Sequence, residues 1–256
     1  MVWHEWGYPS GIIPLIERRF YLMRAAYSVP FDAPGGPLGS QPPKEWHKAF
    51  AGYWHARICD PENALDSPWK AVIVPVHSVD LARFNPSRSQ IKAARQAERR
   101  GLVLEDLSGF SGELYGLYLK VKAIRTGLIL SPGAMQSLFS EMKGHIFGFM
   151  ARQENKPVAF ILNLIHNRRA FAYLHGFDRS FATLRPMSAL VFRSIESARE
   201  RGCSEFSLGS TTPGDAGQAA FKESFGAIAR PMRIHIKQWR LFGLGERARR
   251  SFRKSL

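Results

Sequence analysis

The sequence predicts a mixed α/β (α+β) fold, and three patterns in its second half predict it. Residues 146–151 and 157–165 form apolar runs on either side of Glu154-Asn155-Lys156, the pattern of a hairpin. The second run is nearly all apolar apart from Asn163, as a central strand should be. Residues 184–201 place Met187, Leu190, Val191, Ser194, Ile195 and Ala198 on one face, the spacing of a packed helix with Pro186 in its first turn. A strand over 205–209, a loop of small residues over 210–217, a short helix over 219–227 and a strand over 228–239 complete the alternation.

Taken in order, 11–20 and 25–29 read as strands and 31–43 as a Pro/Gly loop. Residues 44–58 have helical character, with Trp46, Ala49, Phe50 and Tyr53 on one stripe. A linker over 59–68 leads to a buried-looking strand over 71–76. The next helix is expected to start near Pro86, with Asn85 as N-cap, and to stop at Gly101. Along it Arg88, Lys92, Arg95 and Arg99 recur at i, i+4, i+7 and i+11, opposed only by Glu98. Such a stripe is either a solvated face or a rail for phosphate or RNA backbone.

A short strand over 102–104 and helices over 113–125 and 132–142 precede the hairpin. Asn167-Arg168 then turns into a strand over 169–176, where Ala170, Ala172 and Leu174 face one way and Phe171, Tyr173 and His175 the other. In the short helix, Phe221 and Phe225 at i, i+4 pin it to the sheet, and Gly226 caps its end. Spacing alone leaves Lys222 either as a solvated lysine or as a group aimed at the preceding loop. Residues 240–256 read as a basic amphipathic helix, with Leu241, Leu244, Ala248 and Phe252 on one side. That helix either packs back on the domain or contacts an anionic membrane.

The totals narrow the function classes. A chain of 256 residues that is 45% hydrophobic can bury a substantial core, and wholesale disorder is excluded. The formal charge of +15 favours polyanions such as RNA, nucleotide-linked substrates or an anionic membrane face. Two distant cysteines make neither a disulfide framework nor a metal cluster and fit a cytoplasmic location. Cys203 reads as core, and no His/Cys/Asp cluster has metal-ligand spacing, so no metal is expected. No apolar run reaches the roughly 20 residues that span a bilayer.

Four motifs lie in one order along the chain. They are Gly11-Ile12-Ile13-Pro14-Leu15 with Ser28-x-Pro30-Phe31 and Gly35-Gly36-Pro37-Leu38; Arg88-x-x-Ile91-Lys92-x-Ala94; Tyr173-x-His175-Gly176-x-Asp178 followed by Leu184-x-Pro186; and Phe221-Lys222-Glu223-Ser224-Phe225-Gly226-Ala227. Together they resemble the Fem-type aminoacyl transferases and the related BioF2-like acyltransferase domains, which share the GNAT (N-acetyltransferase-like) fold. The resemblance implies a mostly antiparallel sheet flanked by helices over 86–239. It also implies a partial GNAT-like half over 1–85, with the chain beginning part-way through that half, and a separate basic helix over 240–256.

The implied activity is transfer of an aminoacyl or other acyl group to an amine, on an acceptor such as a cell-wall (peptidoglycan) precursor. The alternatives are a CoA-dependent N-acyltransferase and a non-catalytic basic protein that binds RNA or membrane. In the GNAT fold the acyl donor lies where the fourth and fifth strands splay, here the strands over 169–176 and 205–209. Acetyl-CoA users hold the pyrophosphate on an Arg/Gln-x-x-Gly-x-Gly/Ala loop. This chain has Arg179-Ser180-Phe181-Ala182-Thr183-Leu184 instead, and larger residues at both glycine positions hinder close backbone approach.

The expected donor is therefore an aminoacyl-tRNA rather than an acyl-CoA, with no resident cofactor. The resemblance assigns catalysis to Lys222, stabilising the tetrahedral oxyanion, with Phe221 as its neighbour in the Phe-Lys pair. Substrate contacts are expected from Tyr173, His175, Asp178, Arg179, Ser210 and Thr211, with His175 and Asp178 assisting proton transfer or positioning substrate. The plainer alternative for His175 and Asp178 is a strand-end hydrogen bond to a turn. Arg88, Lys92, Arg95 and Arg99 are the expected contacts to tRNA or to a nucleotide-linked substrate, and 240–256 the contact to a membrane surface.

Overall fold

The computed structural model describes all residues except 6, 7, 14, 22, 29–37, 40–42, 124–128 and 239–256. The loop motif over 29–37 and the basic tail over 240–256 lie outside the described residues. The chain divides into two compact units, one of 1–75 with 231–256 and one of 76–230.

In the first unit, β1 (Val2–Glu5), β2 (Tyr8–Ile12), β3 (Ile16–Phe20), β4 (Met23–Tyr27), β5 (Leu38–Gly39) and β6 (His55–Asp60) form its strands. β1, β2 and β5 make a small antiparallel sheet, whereas β3 pairs with β4, and β4 runs parallel to β6. The expected single strand over 11–20 is thus two strands in different sheets. They part at Ile13, which is fully buried and exchanges backbone hydrogen bonds with Met1.

The helix expected over 44–58 is also corrected. Only Trp46–Phe50 winds, as a 3-10 turn, and β6 follows. Trp46 and Phe50 do face the core, with Trp69 against both rings. Beyond Gly52 the burial alternates at Ala56 and Ile58, so the period becomes that of a strand. Cys59 and Asp60, expected in a linker, end that strand.

In the second unit, β7 (Lys70–Asp80) enters and α1 (Arg88–Arg99), β8 (Leu102–Asp106), α2 (Gly112–Ala123) and α3 (Pro132–Glu141) follow. Then come β9 (Ile146–Gln153), β10 (Lys156–His166), β11 (Arg169–Phe177), α4 (Pro186–Glu200), β12 (Glu205–Ser210) and α5 (Ala216–Glu223), after which β13 (Ile228–Gln238) returns to the first unit and pairs antiparallel with β6. The sheet of the second unit runs β7-β12-β11-β10-β9-β8 and is antiparallel except for the β11–β12 pair. The β9–β10 and β10–β11 turns place Glu154-Asn155 and Asn167-Arg168 at positive φ, the two-residue hairpin geometry that matches strand twist. α2 and α4 both pack on β10 and β11. Asn163, polar in an apolar strand, donates to Ser194 Oγ on α4.

Three boundaries differ from expectation. β7 extends from 70 to 80 and buries only Val74, His77 and Val79. The N-cap of α1 is Ser87, whose Oγ accepts the Gln90 N–H, and not Asn85. α4 begins at Pro186, because a 3-10 turn over Arg179–Leu184 ends in a left-handed Arg185 with φ 52°. A residue before proline disfavours the right-handed helical region, which explains the break. Among the described residues no helix is long and apolar enough to cross a membrane.

Candidate active site

The site starts where two strands part. β11 and β12 pair only at Arg169–Glu205, Ala170–Phe206 and Phe171–Ser207, yet β11 continues to Phe177 and β12 to Ser210. Beyond the last pair opens a cavity of about 520 Å³. Ala172, His175, Gly176 and Phe177 line it from β11, and Leu208 from β12. The start of α4, with Pro186 and Ser188, closes one side, and Gln218, Phe221 and Lys222 of α5 close another. The splayed cleft expected from the GNAT resemblance is therefore present.

α5 carries the central group. Asp215 caps it by accepting the Gln218 N–H, and Phe221 stands edge-on to the buried Phe225 with ring centroids 5.2 Å apart. Lys222 is only 6% exposed, so the solvated-lysine alternative is corrected. A buried ammonium needs hydrogen-bond partners. Lys222 Nζ donates to the carbonyls of Gly209 at 3.0 Å and Ser210 at 2.7 Å, at the end of β12. Gly209 has φ +74°, which bends the strand end, and both carbonyls meet the ammonium.

His77 on β7 lies in register opposite Gly209 and is 1% exposed. Its Nδ1 is 3.0 Å from Thr211 Oγ1. Its Nε2 stands 3.6 Å from a Glu223 carboxylate oxygen, too far for a hydrogen bond. Burial and the nearby Lys222 charge lower the His77 pKa, against the pull of Glu223, so the imidazole is held neutral.

The loop between β11 and α4 fixes the cationic wall. Asp178 accepts from the Ser180 N–H and hydroxyl and pairs with Lys120 at 2.5 Å, which holds its carboxyl below the usual range. The N–H groups of Phe181, Arg185 and Ser188 donate to the carbonyls of Asp178, Ala182 and Arg185. Arg179, Ala182 and Arg185 all line the cavity.

Of the expected site residues, the structure brings Lys222, Phe221, His175 and Arg179 to one cavity. Ser210 contributes its carbonyl to Lys222, and Thr211 is buried against His77. Tyr173 and Asp178 are not among the lining residues. Burial pushes the Tyr173 phenol up to about 12. Arg88, Lys92, Arg95 and Arg99 lie together on the exposed face of α1, where with Ile91 and Gln96 they bound a separate hollow of about 350 Å³. Sequence reasoning missed His77, Gln90, Arg185 and Gln218. Among the described residues no three metal-ligating side chains cluster.

Comparison with known proteins agrees with this geometry. No curated protein matches the chain. Among solved structures, the C-terminal domain of a protein assigned as a lysylphosphatidylglycerol synthetase from Agrobacterium fabrum superposes with a TM-score of 0.63 at 16% identity, over 87% of this chain and 80% of that one. FemX gives a TM-score of 0.58 at 12% identity, over 95% and 89%. A GCN5-related N-acetyltransferase from Kribbella flavida gives 0.52 at 15%, over 88% and 86%. At these identities the likeness is one of fold. The profile of the family described as acetyltransferase (GNAT) domain matches residues 87–223, more than half of the chain and the segment from α1 to α5 that builds the cavity. The chain belongs to the acetyltransferase (GNAT) domain family.

Proposed function

We propose that this chain is a Fem-like N-acyltransferase that moves an aminoacyl or other acyl group from a tRNA-linked ester to an amine, such as one on a cell-wall precursor. The observation that carries the proposal is the buried Lys222 ammonium at the edge of the cavity between the parted strands. Attack by a neutral amine on the acyl carbonyl builds negative charge on the carbonyl oxygen. A fixed cation in a largely dry cleft meets that charge without reorganising, and one such donor contributes about 3 kcal/mol in the transition state. His175, which lines the cavity from β11, takes up the proton that the amine sheds and returns it to the ester oxygen of the tRNA as the C–O bond breaks and the hydroxyl leaves. Phe221 shapes the cavity beside Lys222 and fixes its helix. The four Fem-like motifs, and the fold likeness to FemX, support an aminoacyl donor.

The test is single-turnover transfer from a panel of aminoacyl-tRNAs and acyl-CoAs to amine acceptors, with wild type and Lys222→Met. The variant is expected to lose about a hundredfold or more in rate while keeping donor affinity. It also leaves the buried Gly209 carbonyl and the partly buried Ser210 carbonyl without their donor, so a stability loss of about 1–3 kcal/mol should accompany it. Normal turnover by a folded Lys222→Met protein would overturn the assignment.

A further inference from the structure

The outer face of α1 carries an electrostatic arrangement that the fold itself does not use. Arg88, Lys92, Arg95 and Arg99 are all exposed and share one side of the helix. None of the four has a carboxylate partner among the described residues, although this protein pairs its surface cations elsewhere. Arg152 is held by Glu105 and Glu113, Arg24 by Glu17, and Arg193 by Glu200. Like charges three and four residues apart destabilise a helix, and Arg88 in the first turn opposes the helix dipole, with no acidic residue there to offset it. The stripe is therefore a cost to α1 that an external anion would relieve.

Geometry favours a linear polyanion. At 1.5 Å rise per residue the four cations span about 16 Å along the axis, in three steps of about 5 Å. Ala93, Ala94 and Ala97 on the opposite side are buried, and α1 packs on α4 and β8. α1 thus offers no apolar face to a bilayer, as an interfacial helix does. The helix also reaches the cavity. Gln90, between Arg88 and Lys92 in sequence and about half a turn round the helix from both, lines it, and at the far end Arg100 donates to the Thr183 carbonyl beside the cationic wall.

We propose that the outer face of α1 binds the phosphate backbone of an RNA whose acylated end enters the cavity, so that α1 recognises the carrier while the cavity recognises the acyl group. The identification of the polyanion as RNA rests on the tRNA-linked donor proposed above. The experiment measures binding of deacylated bulk tRNA to the full chain by fluorescence anisotropy between 50 and 200 mM salt. It compares wild type with Lys92→Glu/Arg95→Glu and with the milder Lys92→Gln/Arg95→Gln.

Each lost phosphate contact removes about one from the slope of log affinity against log salt, so both double variants should lose about two. An unchanged slope in folded variants would overturn the proposal. So would loss of binding to phosphatidylglycerol vesicles with tRNA binding intact, which would assign the stripe to a lipid surface. If the slope falls but no aminoacyl-tRNA serves as donor in the transfer assay, the RNA face stands and the donor assignment fails.

Discussion

Gly226 shows how tightly the segment around Lys222 is specified at the scale of a residue. Its φ of +79° ends α5, and a Cβ there would meet the Asn85 carbonyl oxygen at 3.3 Å. Gly226→Ala should therefore cost about 1–2 kcal/mol of stability, read as a lower urea midpoint with unchanged slope. A midpoint equal to wild type would show that the turn relaxes freely. The motif around Lys222 was legible in the sequence, as was the Phe221/Phe225 anchor. The burial of Lys222 was not, because its partners are backbone carbonyls of Gly209 and Ser210, which no residue type announces. His77 was illegible for a different reason. Its partner Thr211 is 134 residues away, and the pairing exists only once β7 lies beside β12.

At the scale of elements, the turn between β11 and α4 bears on the proposed donor. A pyrophosphate site at a helix N-terminus needs unsatisfied backbone N–H groups. Here the N–H groups of Ser180, Phe181, Arg185 and Ser188 are already donated within the turn, Pro186 has none, and Ala182 and Leu184 stand where acetyl-CoA users carry Gly and Gly/Ala. Calorimetric titration with acetyl-CoA should show no tight binding. A micromolar dissociation constant would instead make the protein a CoA-dependent acyltransferase. Elements with a sustained period, such as α1, α4 and the β9–β10–β11 meander, were readable from the chain. The stretch over 44–58 was not. Trp46 and Phe50 occur at helical spacing, but Gly52 and the pairing of β6 with β4 override it, which is tertiary context winning over local preference.

At the scale of the whole molecule, the β11–α4–β12 connection is of the strand–helix–strand kind that permits the parallel pairing seen there. The sequence did not foretell the pairing of β7 with β12, because no local pattern links segments that far apart. The chain also stores a pH dependence in groups spread over both units. In the first unit Asp60 is buried, which by itself raises its pKa. His235 and the N–H groups of Leu65 and Ala64 outweigh that and hold it below its usual value. In the second, Arg152 lowers Glu113 and Lys120 lowers Asp178, while burial raises Glu196 and opposes them. A carboxyl with a lowered native pKa binds more protons when unfolded, so its stabilisation is complete above about pH 4 and is lost as pH falls through the native value. His77 acts earlier. Its native pKa lies below its ordinary 6.5, so its neutral, buried form stabilises fully above that pH and loses the contribution on further acidification. The urea midpoint should therefore decline in two stages, gently from about pH 6.5 and steeply below about pH 4. His77→Gln should flatten the first stage and leave the second, and a wild-type midpoint that is constant between pH 7 and 5 would show that His77 titrates as it does in the unfolded chain.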